Sequence, residues 1–432
     1  MPRYRLAGQS SRDLFAGLRL KQRFDRFTRQ SMLLSGGSVV AQAIIVAGSP
    51  ILTRLYSPED FGVFAVLTAW ISIVGPVACL GLETPILVEQ DDRRACSLTL
   101  AALISALGTT ALLVAVVALL ARSGWPSAVW GRADALVWLI PFGVLLYSLA
   151  QPLANLALRG GAVIANSLTQ VLQAICQLAA QVALGISGTG LAIGYVVGLT
   201  PRLLWLGRVV QPALRRHLQE LDPQELTAAF RREWRYPLIA VPSTLLRLGS
   251  QFLPVVIVTL LYGPGIGGLF GLAQRVVTMP VRMIGLATSQ AFLAEARTLD
   301  RAGLRRLLAA TVLRFFVIGL AWGMPLALVA PYLFAFVFGS EWRMAGEITR
   351  VLIPIHIARF VLTPISQALN IVGRQELDLA LALPLIVALG LSFALAHAAD
   401  LPPLSAVLAY SVASCGVFIA TIWVSWRAMQ PE

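Results

Sequence analysis

Apolar residues run along this chain in stretches of about twenty or more, separated by short segments where glycine, proline and charge collect. From Leu98 to Leu120 there is no charged residue. An apolar run of about 18 residues or more crosses the ~30 Å hydrocarbon core as a helix. Twelve such spans are predicted, at approximately 31–54, 62–86, 96–120, 134–156, 162–184, 190–209, 236–261, 267–293, 307–337, 346–371, 376–397 and 402–426. The ninth contains Pro325 and Pro331, and a kink or break is expected there because proline removes a rung of the helix ladder.

The pattern repeats. Residues 52–64, LTRLYSPEDFGVF, align with 258–270, VTLLYGPGIGGLF, at an offset of 206. Thr53/Thr259, Leu55/Leu261, Tyr56/Tyr262, Pro58/Pro264, Gly62/Gly268 and Phe64/Phe270 are identical. The same offset carries Ser31 to Pro237, each at the start of a span, and Glu89 to Glu295, each just past one. Six intervening spans leave both copies in the same orientation, so the repeats are parallel, about an axis along the membrane normal. The expected fold is an all-α polytopic membrane protein with two six-helix bundles around a central cavity. Its expected parts are a basic N-terminal segment (1–30), a first bundle (31–209), a linker with an amphipathic helix (210–235) and a second bundle (236–432).

Charge sets the orientation. Only 13% of the residues are charged, against about 25% in soluble domains, and 57% are apolar. That balance excludes a secreted domain, a disordered chain and a soluble enzyme. The formal net charge of +13 would suggest nucleic acid in a soluble protein. Here the cations fall in loops. With the N-terminus inside, 23 Lys and Arg lie in inside loops and tails and four in outside loops. Basic residues mark the cytoplasmic side. The expected location is a bacterial inner membrane, with both termini cytoplasmic. The first 30 residues show no cleavable signal pattern, so the first span is expected to direct insertion. Residues 11–30, with Leu20, Phe24 and Phe27 at helical spacing, and the 210–235 linker are expected on the anionic cytoplasmic leaflet; a solvated tail is the alternative for 11–30. In the linker, Asp222-Pro223-Gln224-Glu225 reads as a helix start.

Polar groups inside the spans carry the candidate chemistry. In the fifth, Asn166, Gln170, Gln173, Gln177 and Gln181 share one helix face at spacings of 4, 3, 4 and 4. Amides are costly against lipid, so this face meets protein or water; the functional reading is a cavity wall that binds sugar, and the structural one is interhelical bonding. Arg247, Arg275, Arg282 and Arg359 lie far from span ends, with Gln251 one turn after Arg247 and Asn370 further along the face of Arg359. An arginine at the bilayer centre costs at least ~3 kcal/mol unless it faces water or a partner. Converging on a wet cavity, these groups make an anion site suited to phosphate or carboxylate. Arg202 and Arg314, nearer the cytoplasmic face, are read as snorkelling. Gln151 and Asn155 are candidates to continue the cavity lining. Glu83 and His356 are candidates for ion coupling, with a loop-edge charge and a structural histidine as the alternatives. The four cysteines form no disulfide framework and no metal-ligand spacing, and no nucleotide or metalloprotease motif occurs. No cofactor and no metal are expected; a proton or sodium gradient is the candidate driving force.

Four segments carry a family resemblance: LTRLYSPEDFGVFAV (52–66), YGPGIGGLFGLAQRVVTMPVRMIG (262–285), SQAFLAEA (289–296) and PISQALNIVGRQ (364–375). They resemble the Wzx-type polysaccharide flippases of the multidrug/oligosaccharidyl-lipid/polysaccharide exporter superfamily. The resemblance implies translocation of undecaprenyl-diphosphate-linked oligosaccharide from the cytoplasmic to the periplasmic leaflet, for O-antigen, capsule or exopolysaccharide. It implies two bundles around a V-shaped, cationic cavity. The implied partners are the lipid-linked oligosaccharide, membrane lipids, and polymerase and chain-length proteins of the same pathway, with no nucleic acid. A drug exporter of the same architecture is the alternative, though cationic drugs favour an acidic cavity. A membrane polymerase needs an outside loop longer than the ~15 residues available here.

Overall fold

The computed structural model describes residues 36–122, 131–219, 223–234, 236–296, 301–372 and 375–428. All regular structure among them is helical. In chain order the α-helices are α1 (Gly36–Leu55), α2 (Pro58–Val74), α3 (Asp92–Arg122), α4 (Leu139–Arg159), α5 (Val163–Ala183), α6 (Gly190–Gln219), α7 (Pro223–Arg232), α8 (Val241–Ala296), α9 (Arg301–Phe338), α10 (Arg343–Val372), α11 (Gln375–Ala398) and α12 (Pro403–Ala428). α8 breaks at Gly263 (φ 85°, ψ 166°), a backbone state that favours glycine, so its two arms are separate passes. With those arms and the short α7 set apart, twelve passes form two parallel six-helix repeats around a central cavity. Nine stretches among the described residues are long and apolar enough to cross a membrane, one of them (Tyr236–Thr278) covering the first arm of α8 and part of the second. The chain is a multi-pass membrane protein.

The repeat turns the chain in two ways. In the first half Ser57 caps α2: its hydroxyl accepts from the Asp60 amide, and the Asp60 carboxylate accepts from the Ser57 amide. Pro58 follows at the first helical position. At the equivalent place in the second half, Gly263 supplies a left-handed residue and no cap. The two signatures then meet, because the deepest packing between the halves is α2 against α8. One buried cluster runs from Leu52, Phe61 and Phe64 across to Phe270, Phe334 and Trp342.

Several spans differ from expectation. α2 ends at Val74 rather than near 86, because Gly75-Pro76 opens a 3-10 turn and Leu80 (φ 56°) and Gly81 (φ 76°) are left-handed. α6 runs on to Gln219 rather than 209, through Pro212. The ninth span is not broken: α9 is continuous through Pro325 and Pro331. Pro331 cannot donate to the carbonyl of Ala327 four residues back, and the Arg350 Nε–H donates to that carbonyl instead (2.9 Å). In α4, Pro152 orphans the carbonyl of Ser148 in the same way, and the buried Cys79 thiol donates to it (3.2 Å).

The linker helix α7 does not present its apolar face to lipid. Leu226 and Phe230 pack against Cys79, Leu82, Ala101 and Ala102, while Arg231, Arg232 and Trp234 are exposed. Residues 11–30 lie outside the described residues, as does the Asp222 cap. At the same end, Arg159 closes the loop before α3: it pairs with Asp92 (2.5 Å) and donates to the carbonyls of Glu89 (2.7 Å) and Gln90 (2.8 Å). Buried His217 meets the Ser97 hydroxyl (2.9 Å) and ties α6 to α3.

Candidate functional site

Between the halves lies a cavity of about 440 Å³, walled by α1, α2, α4, α5 and α6 of the first half and α8 of the second. Its polar lining is amides, hydroxyls and two guanidinium groups. α5 contributes Gln170, Gln173 and Gln177, α8 contributes Gln251, Gln274 and Arg275, and α6 contributes Tyr195 and Arg202. No carboxylate is among the described residues that line it.

Arg275 enters from the second half and lies over the Phe64 ring of the first, 5.6 Å from its centroid. Phe64 meets Tyr195 edge-on at 5.8 Å. The contact holds the guanidinium against an apolar wall of the cavity. On α8, Gln274 donates to the backbone carbonyl of Gln251 (3.0 Å), and Thr278 to that of Gln274 (2.6 Å). The first of these bonds ties the two arms of α8 together at cavity level.

Arg202 lines the same cavity from α6. Its Nη2–H donates to Gln151 Oε1 (3.3 Å), and its Nε–H is buried with no partner. Sequence reasoning reads it as snorkelling because the span is expected to end at 209. Its head group instead lines the cavity, held there by Gln151.

The α5 amide face divides. Gln170, Gln173 and Gln177 line the cavity. Gln181 is 1% exposed and structural: its Nε2 donates to the Leu191 carbonyl (3.0 Å), and its own backbone carbonyl accepts from the Tyr56 hydroxyl (2.6 Å). Asn166 is buried outside the lining, with its Oδ1 unpartnered. Gln151 holds Arg202. Asn155 holds the α2–α3 loop, donating to the Glu83 carbonyl (2.7 Å). Arg247 is exposed, one turn before Gln251 and outside the lining. Arg359 lies in the second half, its guanidinium 5.8 Å from the Phe418 centroid, near buried His356; neither lines this cavity. Arg314 is exposed on α9. The side chains of Arg282 and Asn370 lie outside those described.

Glu83 sits in the α2–α3 loop beyond both neighbouring spans. One carboxyl oxygen, Oε2, is buried without a partner, and burial pushes its pKa up from the ordinary carboxylate range. Residues missed from sequence include Gln42, Tyr147, Tyr195 and Gln274. Each is an isolated polar group in an apolar helix and shows no period. Among the described residues, no cluster of His, Cys, Asp and Glu is placed to hold a metal ion.

Comparison with known proteins adds a family. Residues 51–347 match the model of a family described as polysaccharide biosynthesis protein. No curated protein matches the chain significantly by sequence. Among solved structures the chain is similar to the lipid II flippase MurJ in an inward closed conformation (TM-score 0.71, 12% identity, 92% of this chain and 90% of that one). It is similar also to an inward-facing multidrug resistance MATE family transporter of the MOP superfamily (TM-score 0.64, 17% identity, 92% and 94%). A third is a MOP superfamily transporter from Pyrococcus furiosus Vc1, described by a binding pocket of reverse polarity (TM-score 0.56, 14% identity, 93% and 96%). At these identities the likeness is one of fold.

Proposed function

Because the chain belongs to the polysaccharide biosynthesis protein family, we propose that it is a flippase for an undecaprenyl-diphosphate-linked oligosaccharide. In this reading it moves the repeat unit from the cytoplasmic to the periplasmic leaflet by alternating access, for O-antigen, capsule or exopolysaccharide synthesis. The observation that carries the reading is the cavity lining: two arginines, a bank of amides and no carboxylate among the described lining residues. A diphosphate brings two or more negative charges, which guanidinium groups in a low-dielectric setting bind as charge-assisted hydrogen bonds. Glutamine side chains supply both donor and acceptor to sugar hydroxyls. The polyprenyl tail stays in the bilayer, so only the head group needs the polar path.

The basic residues of the inside loops support an orientation with both termini in the cytoplasm, in a bacterial inner membrane. A gradient of protons or sodium is the proposed drive, with Glu83 and His356 as the titratable candidates. Deletion of the gene, with analysis of the lipid-linked sugars, tests the function. The expected result is a complete diphosphate-linked repeat unit trapped on the cytoplasmic leaflet, with loss of surface polymer. Truncated or flipped but unpolymerised intermediates would favour a biosynthetic enzyme. Unchanged glycolipids would favour a small-molecule exporter of the same fold.

A further inference from the structure

The repeated Pro58-to-Gly62 and Pro264-to-Gly268 segments are not explained by the cavity, because neither proline nor either glycine lines it. In the structure they pack on each other across the pseudo-twofold axis. A Cβ added to Gly62 would fall on the carbonyl oxygen of Pro264. A Cβ added to Gly268 would fall on the carbonyl oxygen of Pro58, with the Gly62 nitrogen 2.7 Å away. The contact is reciprocal: each glycine of one repeat receives the proline carbonyl of the other.

One turn along both helices, a Cβ on Gly271 would come within 2.9 Å of Ala65 Cβ. Ala65 and Gly271 are themselves lining residues, so backbone-to-backbone packing begins where the cavity stops. At that end Trp342 of the second half, 1% exposed, donates its indole N–H to the Thr53 carbonyl of the first (3.2 Å). Its ring meets Phe61, a further lining residue, edge-on at 4.8 Å. At Gly62 and Gly268 the two helices are at main-chain contact, which leaves no space for water. Such a seal is tight when shut and parts without breaking strong bonds.

We propose that the Gly62–Gly268 crossing, continued by Ala65–Gly271 and latched by Trp342, is the gate that closes the cavity at the α1–α2 turn. Its parting opens the cavity on that side. The inference rests on the transport reading above, but its test does not use transport.

The test places a reporter, Thr68→Cys, on the cavity wall of a chain whose four native cysteines are replaced by alanine. A second reporter, Glu59→Cys, marks the side on which the α1–α2 turn lies. A membrane-impermeant maleimide is applied to right-side-out and inverted vesicles. With the glycines intact, position 68 is expected to label only from the side opposite position 59. Gly62→Ala or Gly268→Ala is expected to raise labelling from the position-59 side by about fivefold or more, since a crowded closed state loses population to the open one. Gly108→Ala, where a Cβ meets nothing within 4 Å, is the control and is expected to change nothing. If the glycine variants do not accumulate, Trp342→Phe removes the indole bond and is expected to raise the same labelling. Labelling from the position-59 side in the parent, or no rise in any seal variant that inserts, would overturn the gate. A raised rate alongside unchanged glycolipids in the deletion strain keeps the gate and sinks the flippase reading.

Discussion

Arg275 and Arg202 bring fixed positive charge to one cavity, and each is held by a different device. Arg275 lies on the Phe64 ring, and Arg202 is tethered by Gln151. If they bind the diphosphate, Arg275→Ala and Arg202→Gln should each reduce surface polymer by about tenfold or more, with normal membrane levels on immunoblots; losing one partner of a charged contact costs ~2 kcal/mol or more. Lysine at either position should not restore export, because an ammonium lacks the planar fork. Glu83 gives a pH prediction. Its raised pKa means the folded protein holds a proton that the unfolded chain releases, so its favourable contribution is full below the ordinary carboxylate pKa. That contribution is lost as pH rises through the raised folded value. The melting temperature in detergent should therefore fall as pH rises, and Glu83→Gln should flatten that slope. An unflattened slope would place the titration elsewhere. At this scale the sequence speaks through periodicity: Gln170, Gln173 and Gln177 stand out by spacing. Arg202 does not, because its place in the cavity depends on Gln151 of another helix.

Helices here keep prolines by borrowing donors from their neighbours. Pro331 and Pro152 each leave a carbonyl without its helical partner, and Arg350 and Cys79 fill those places. Local pattern predicts a kink or break in the ninth span, and the helix is not broken; the compensating donor sits on α10, out of reach of any local reading. The expected consequence is coupling. Arg350→Met should lower the unfolding midpoint by a few degrees, about 1 kcal/mol for one lost hydrogen bond. The same substitution in a Pro331→Ala background should cost much less, since alanine brings its own backbone N–H to that carbonyl. Thermal denaturation of the four proteins closes this double-mutant cycle, and additive losses would refute the coupling. The linker helix shows the same limit. Its amphipathic pattern is legible, but the surface it lies on is not: Leu226 and Phe230 meet α3 and the α2–α3 loop rather than lipid. Phe230→Asp should undock it and increase protease cleavage in the linker, leaving the spans protected.

Across the whole molecule, the two halves touch through the segments that repeat. A duplicated turn placed on a pseudo-twofold axis must meet its own copy, so a proline carbonyl facing a glycine recurs in reciprocal roles. That is why Gly62 and Gly268 admit no side chain, although one opens a capped helix and the other follows an uncapped, left-handed residue. Ala65 and Gly271, one turn further along both helices, line the cavity. Closure and binding therefore share α2 and α8, and a change in one is expected to be felt in the other.

From the sequence alone came the features set by composition and period: an all-helical membrane chain, twelve passes, two parallel repeats and an amide face on α5. These follow from apolar run length and 3.6-residue spacing, which act along a single segment. Tertiary structure alone decided which polar groups meet. Depth and azimuth in a bundle depend on neighbouring helices. So Arg202 joined the cavity, Gln181 and Asn155 became structural ties, and Arg247 and Arg359 fell outside the lining.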